Sequence, residues 1–467
     1  MVTTAVSGAL VHLPFFETLQ AYCEQIEAQL LVVPSRYHNP TAARDDAGWW
    51  FDERLEPYMA GVPYNSIEHG RSWHGQRAEL TPDTLLLADI TIQPTAARPL
   101  SGLLQLSGAQ HGIFGHTKVT FESVPTRPGQ LAKFAVTTGA ITRPEYSISK
   151  AGAKGEFHHV LGALLVEPSK GGTHFRHLLA NASGDFCDLN QRFSRKSKPA
   201  EQRAKVLACG DLHLDRADKR VLDQTFFNDD SIVATLKPEA VVLHDVLDFH
   251  SGSHHNTLFK RYEKFLNGTE SVEKEVERSA FLLSEIVEAA PEDTKFYVVS
   301  SNHSPDHFVR WLEGLDRARD LPNKWFYHAT SEAYCRAIIK GNKDFDPFAY
   351  WFQRWLATNV TARVTFLTRN GSFFVQGVEY GQHGDRGPNG VKGAPNAFVR
   401  VGVKMIIGHG HSPGIYDGVY QVGTSSQMDM GYNAGFSSWA HTHAVQYQTG
   451  KRSLLHVLPE GWRGVVP

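Results

Sequence analysis

With 467 residues the chain exceeds one ordinary domain, and two or three are expected. Hydrophobic residues at 41% and charged residues at 21% are a globular composition with material for sizeable cores, and no apolar run reaches the ~18 residues of a membrane-spanning helix. A net charge of −2 excludes capture of nucleic acid by bulk electrostatics and leaves only a local basic face for that purpose.

Met1-Val2-Thr3-Thr4-Ala5 has neither the basic start nor the apolar stretch of a secretory signal. The cysteines Cys23, Cys187, Cys209 and Cys335 show no C-x-x-C spacing, which argues for a reducing cytoplasm and against a zinc ribbon or disulfide scaffold. Phe15, Phe16, Leu19, Tyr22, Cys23, Ile26 and Leu30 predict a helix over 15–30. Leu31-Val32-Val33-Pro34 then reads as a strand, and further strands are expected at 84–92, 118–121, 133–137 and 160–166. This alternation predicts an N-terminal α/β domain over 1–198, Rossmann-like in one form. No nucleotide-binding glycine motif is present, so no nucleotide cofactor is expected.

Gly115-His116-Thr117-Lys118 imitates a ligand motif, but Lys118 stands where a second histidine would be, and it is read as a decoy. The segment 142–159 is dense in Arg143, Glu145, Lys150, Lys154, Glu156, His158 and His159. A phosphate-contacting surface, a hydrogen-bonded turn and an oligomer contact are all open for it. Arg192 to Pro199 is basic and polar and reads as the boundary between two domains, either a solvated linker or a phosphate-contacting strap.

The second domain, 199–467, carries four short motifs, each after a strand-like apolar run. Val206-Leu207-Ala208-Cys209 leads into Gly210-Asp211-Leu212-His213, and Ala240-Val241-Val242-Leu243 leads into His244-Asp245. His250, His254 and His255 follow in a loop, as groove lining or solvated polar surface. A helix is predicted over 271–289 from Val272, Val276, Ala280, Leu283, Ile286 and Val287. Phe296-Tyr297-Val298-Val299 leads into Asn302-His303. The stretch 323–356 is rich in Trp, Phe and Tyr, with core packing or a subunit contact as the default and base stacking as the alternative. Met405-Ile406-Ile407 leads into Gly408-His409-Gly410-His411, and closing strands are expected at 415–422 and 444–447. His441-Thr442-His443 looks similar locally but lacks the preceding glycine, and is read as structural or as lining the site mouth. Carboxylate, imidazole and amide groups thus collect outside the carboxyl ends of strands, where open α/β sheets bind ligands. Such a mixed oxygen and nitrogen set suits Mn²⁺, Fe²⁺ or Zn²⁺ rather than thiolate-loving ions.

The order Asp-x-His, Asp, Asn-His, His, Gly-His-x-His resembles the calcineurin-like metallophosphoesterases, over about 205–467. The resemblance implies a four-layer αββα sandwich holding two divalent metal ions, Mn²⁺ first, with Fe²⁺, Zn²⁺ or Mg²⁺ as the other candidates. It implies Asp211 and His213 on the first metal, Asp245 bridging both, and Asn302 on the second. His409 falls on the second metal and His411 on the first. His303 faces the substrate and protonates the leaving oxygen. The family's remaining histidine is assigned to His383, after the strand-like run 373–378. Two departures stand out. His244 occupies the place of a glycine before Asp245, and Ser304 the place of a carboxylate after His303, with Asp306 as a substitute.

The segments 135–140 and 142–159 also look similar to proteins of large tailed phages that pair an N-terminal α/β domain with a metallophosphoesterase domain and act in early destruction of host DNA. The implied activity is metal-dependent phosphodiester hydrolysis, most of all of DNA, in the cytoplasm of a bacterial host. The N-terminal domain would serve oligomerisation or nucleic-acid contact, and no membrane partner is expected. Two rivals stand beside it: a phosphatase or phosphodiesterase acting on a small nucleotide, and a non-catalytic scaffold with altered motifs.

Overall fold

The computed structural model describes residues 1–37, 49–66, 70–195, 197–314 and 320–464. It is a mixed α/β protein built on two large sheets. Four short strands, Ala204–Ala208, Ala240–Leu243, Lys295–Val298 and Val364–Phe366, pair in parallel in a six-stranded sheet. The antiparallel strands Thr442–Tyr447 and Arg452–His456 complete it beside Ala204–Ala208. Side chains alternate across a strand. Leu207 therefore faces the helical side with Leu243 and Phe296, while Val206 and Ala208 face the second sheet.

The helix Val272–Ala289 covers the outer face. Ser271 caps it by accepting from the Lys274 N–H, and Glu273 and Glu275 lie in its first turn, where the helix dipole favours negative charge. Val272, Val276, Ala280, Leu283, Ile286 and Val287 are fully buried along one stripe. The aromatic stretch supplies the helices Lys324–Ile339 and Pro347–Trp355, whose Phe326, Phe348, Trp351 and Phe352 enter the same core. Core packing is what most of those rings do.

The second sheet has ten strands, in the order Phe374–Val375, Val378–Glu379, Lys404–Ile407, Val419–Gln421, Gly414–Tyr416, Phe121–Val124, Lys133–Thr137, His111–Phe114, Thr84–Leu87 and Arg77–Thr81. It draws strands from both sides of residue 198 and joins them where Ile415 pairs with Phe121. The short helix Pro395–Val399 packs on this sheet through Phe398, and the turns that carry Ile92 and Leu100 pack on it as well.

Near the N-terminus, Val2–Val6 and Leu31–Ser35 are parallel strands joined through the helix Leu13–Gln25, and Gly162–Ser169 and Gly172–Leu179 add antiparallel partners. Among the described residues this sheet holds one β-α-β unit and not the repeated alternation of a Rossmann-like sheet. The stretch 192–199 is largely exposed, with only Phe193 buried among its described residues, but it is a paired hairpin rather than an irregular connection. Apart from Lys196, which lies outside the described residues, it belongs to the hairpin Gln191–Ser194 with Ser197–Glu201. Phe193 inserts against Tyr22 and Phe186, and Arg195 pairs with Glu17, which holds the hairpin on the N-terminal core. Among the described residues no helix is long and apolar enough to cross a membrane.

Candidate metal centre

The ligand candidates sit where strands end, and the segments beyond those ends are zipped together. The Leu212, His213 and Leu214 N–H groups donate to the His244, Asp245 and Val246 carbonyls at 3.0, 2.7 and 3.0 Å. On the other sheet the Gly408 N–H donates to the His383 carbonyl at 2.7 Å. The His409 N–H then donates to Asp211 Oδ2 at 2.8 Å and ties the two sheets together at the site. Four candidates have left-handed backbone: His213 (φ 44°), Asp245 (φ 42°), His409 (φ 71°) and His411 (φ 53°). Such φ values cost non-glycine residues of order 1–3 kcal/mol each and persist where the surroundings impose them, as at functional sites. Gly408 is required by space: a Cβ there would lie 2.2 Å from Asp211 Oδ1.

Ligand atoms of Asp211, His213, Asp245 and His411 all lie within 4.8 Å of one another, and all four residues are buried. His411 Nε2 is 3.0 Å from Asp211 Oδ2 and 3.2 Å from His213 Nε2. His383 joins through Asp245, Nε2 to Oδ2 at 3.1 Å, and its ring stands 5.3 Å from that of His409. Asn302, His303 and His409 line the same cleft as Asp245 and His411. The eight residues singled out in the sequence therefore converge on one place. A cation fits there. The buried oxygens Asp211 Oδ1, Asp245 Oδ1 and Asn302 Oδ1 accept no hydrogen bond, among the described residues. Burial lowers the His383 pKa, yet Asp245 and Asp211 outweigh it and hold it at about 9. Burial likewise pushes the Asp245 carboxyl up, and His383, His303 and His213 hold it well below the ordinary range. The cluster demands positive charge.

Three further residues belong to the centre. His244 is fully buried and groups with Asp211 and His383; burial, then His383, pushes its imidazole down to about 4. Asp248 faces His213 Nδ1 with Oδ1 at 3.0 Å and accepts from His303 Nδ1 with its backbone carbonyl at 2.6 Å. His307 lies against His303 with ring centroids 4.6 Å apart and tilted by 56°, and burial and then His303 push its pKa down to about 3. The carboxylate three residues after Asp245 was a readable signal for Asp248. Asp306 has a different task from the one expected: it pairs with Arg386 and, at 3.5 Å, with Arg369.

The look-alike histidines are held by structural bonds. His116 Nδ1 accepts from the Lys118 N–H at 2.9 Å, and its Nε2 meets the Gln93 carbonyl at 3.1 Å. His443 accepts from the Gly210 N–H at 2.9 Å and bonds Thr225, while His441 meets the Thr424 carbonyl. In 142–159, Ser149 caps the helix Lys150–His158, and His159 bridges the Tyr146 hydroxyl and the Thr142 carbonyl. That is the hydrogen-bonded turn. His250 lies at the cleft wall, 3.0 Å from Glu275.

The cleft in front of the centre has a volume of about 1120 Å³. The helix Leu258–Asn267 forms one wall with Lys260 and Lys264, and the segment 427–439 forms another with Tyr432 and Trp439. The chain is 31% identical over 474 residues to Protein A1 of Escherichia phage T5, an alignment covering 97% of this chain and 81% of that protein. No protein-family model matches the chain, and no solved structure does. At that identity and coverage, the chain belongs to the family of phage T5 Protein A1.

Proposed function

We propose that this phage-type protein is a two-metal phosphodiester hydrolase of the calcineurin-like kind, acting on DNA. One observation carries the reading: Asp211, His213, Asp245 and His411 bring buried ligand atoms within 4.8 Å of one another, and His383 Nε2 adds to them 3.1 Å from Asp245 Oδ2. Asp211, His213 and His411 would hold one divalent cation, Asn302, His383 and His409 the other, and the Asp245 carboxylate would face both. Bound there, two cations, Mn²⁺ first, supply Lewis acidity to the phosphoryl group and lower the pKa of the attacking water.

The chain's own residues set the rest. A backbone carbonyl can only accept, so the bond to Asp248 fixes the proton of His303 on Nδ1 and leaves Nε2 as the nitrogen that exchanges a proton in the cleft. Protonated at Nε2, His303 gives that proton to the departing sugar oxygen. The Asp248 carboxylate, 3.0 Å from His213 Nδ1, favours the tautomer that keeps its proton on Nδ1 and leaves the Nε2 lone pair for a cation. A cleft of this size, edged by Arg216, Lys260 and Lys264, favours an anionic polymer over a small nucleotide.

The test is Mn²⁺-dependent cleavage of linear and circular DNA beside a small chromogenic phosphodiester, for wild type and Asp245→Ala, with metal content measured on both. Cleavage lost in the variant supports the proposal. Turnover of the small ester without DNA cleavage would replace it with a nucleotide phosphodiesterase. Stoichiometric metal with no turnover of either would count against hydrolysis.

A further inference from the structure

Three aromatic rings are in successive contact, beginning at His411 of the candidate metal centre. His411 meets Trp439 edge-on at 4.2 Å, and Trp439 meets Tyr432 at 5.9 Å and 67°. Tyr432 is 57% exposed although it lines the cleft.

The segment that presents Tyr432 is pinned. Arg216 donates to the Met430 carbonyl at 3.0 Å, and the Gln427 N–H donates to the Arg216 carbonyl at 2.9 Å. Asn433 accepts from the Met430 N–H at 3.0 Å and donates to the Met428 carbonyl at 2.7 Å. The Gly431 N–H donates to Asp429 Oδ1 at 2.8 Å. Tyr432 is therefore displayed on a fixed turn and loses little conformational freedom on contact with a ligand. The same cleft is lined by Arg216 and, one helical turn apart on the helix Leu258–Asn267, by Lys260 and Lys264, the last with its ammonium on the His250 carbonyl. A stacking ring and spaced cations in one cleft are the two elements that hold a single nucleic-acid strand.

We infer that Tyr432 and Trp439 form a stacking platform for an unpaired nucleobase next to the scissile phosphate, with Arg216 and Lys260 taking neighbouring phosphates. The inference rests on the phosphodiesterase reading and narrows it, since the substrate is then single-stranded or locally unpaired DNA. A base inside a duplex has both faces occupied by its neighbours and cannot lie on Tyr432.

The test is binding by fluorescence anisotropy of a labelled oligothymidylate and of a duplex of equal length. Ca²⁺ replaces Mn²⁺, and the proteins are wild type, Tyr432→Ala and Tyr432→Phe. Wild type is expected to prefer the single strand. Tyr432→Ala should weaken that binding ~10-fold or more, and Tyr432→Phe, which keeps the ring, should restore it. In Mn²⁺, the loss of kcat/KM for Tyr432→Ala should be ~10-fold greater on the oligonucleotide than on a small chromogenic diester. Equal losses on both substrates would mark Tyr432 as structural and overturn the platform. Unchanged binding by Tyr432→Ala, or a preference for duplex, would do the same. Wild type that turns over the small diester but binds no oligonucleotide would overturn the platform and spare the phosphodiesterase reading. Wild type that binds the oligonucleotide through Tyr432 yet hydrolyses neither substrate would overturn the hydrolase and leave the platform standing.

Discussion

Asp248 holds two histidines at once: its side-chain Oδ1 lies 3.0 Å from His213 Nδ1, and its backbone carbonyl 2.6 Å from His303 Nδ1. One residue thus sets the tautomer of a proposed metal ligand and of the proposed proton donor. Asp248→Asn keeps the carbonyl and so keeps the bond to His303, but loses the negative charge behind His213. Changes behind a metal-bound histidine typically lower metal affinity ~10–100-fold. Isothermal titration with Mn²⁺ should show that weakening for Asp248→Asn, with the fold intact by circular dichroism. Wild-type affinity in the variant would remove Asp248 from the centre.

Gly408 allows Asp211 to come close. An added methyl group would sit 2.2 Å from Asp211 Oδ1, and backbone and carboxylate would have to part. A ligand that binds only the native state stabilises it by ~4 kcal/mol at a thousandfold excess over its Kd. Wild type should therefore melt at a higher temperature with Mn²⁺ than with a chelator. Gly408→Ala should melt below wild type in chelator, by the ~1–3 kcal/mol cost of the overpacked site, and should gain little further from Mn²⁺. An undiminished metal-induced shift would show that Asp211 is dispensable.

A second histidine group predicts acid lability away from the metal centre. His111 and His456 stack on Phe134 at 5.2 and 4.9 Å, and His177 bonds the Thr137 carbonyl at 2.7 Å. Burial pushes His111 and His177 down to about 4, and His456 well below its usual value. Each is neutral in the folded chain and has an ordinary pKa, near 6.5, when unfolded. The folded value is the lower one, so the stabilisation is complete above pH ~6.5 and drains away as pH falls through ~4. Urea midpoints should hold steady from pH 8 to 7 and drop steeply between 6 and 4. His111→Phe, which keeps a ring on Phe134, should flatten that drop. A pH-independent midpoint would contradict the assignment.

Arg176 sits in a buried ion cluster beneath the N-terminal sheet. It meets Asp188 at 2.7 and 3.0 Å and Glu167 at 2.5 Å, and the Tyr22 hydroxyl donates to Asp188 at 2.7 Å. Removing one partner of a buried pair leaves an uncompensated charge and costs ~3–5 kcal/mol. Arg176→Ala should lower stability by about that amount in urea titration. Arg176→Met with Asp188→Leu should recover part of it.

Much of the centre was legible because its chemistry is written locally. Each ligand candidate follows an apolar run within a few residues, and the strands Ala240–Leu243 and Lys133–Thr137 have the bounds that their residues predict. Tertiary partners decided the rest. The helix predicted to residue 30 ends at Gln25, because the Ala28 N–H turns back to the Cys23 carbonyl and the Gln29 carbonyl accepts from the Met1 amino group. Asp306 was expected near His303 by proximity in sequence, but Arg369 and Arg386 arrive from far along the chain and claim it. His244 departs from the family pattern and still enters the centre, which a comparison of motifs could not anticipate. The basic stretch before Pro199 looks like a linker, and only the rings of Tyr22 and Phe186 make it a packed hairpin.

The pairing of Phe121–Val124 with Gly414–Tyr416 has a consequence for synthesis of the chain. Vectorial synthesis favours N-terminal units that fold first. Here the early strands cannot complete their sheet until a partner made some three hundred residues later leaves the ribosome. His409 and His411 arrive in the same late stretch, and Thr442–Tyr447 must still dock against Ala204–Ala208. A nascent chain therefore carries an open sheet edge and an unfinished ligand set for most of its translation. Ribosome-bound chains stalled near residue 400 should be protease-sensitive across 77–137 and retain no metal, whereas chains released after residue 460 should resist proteolysis there.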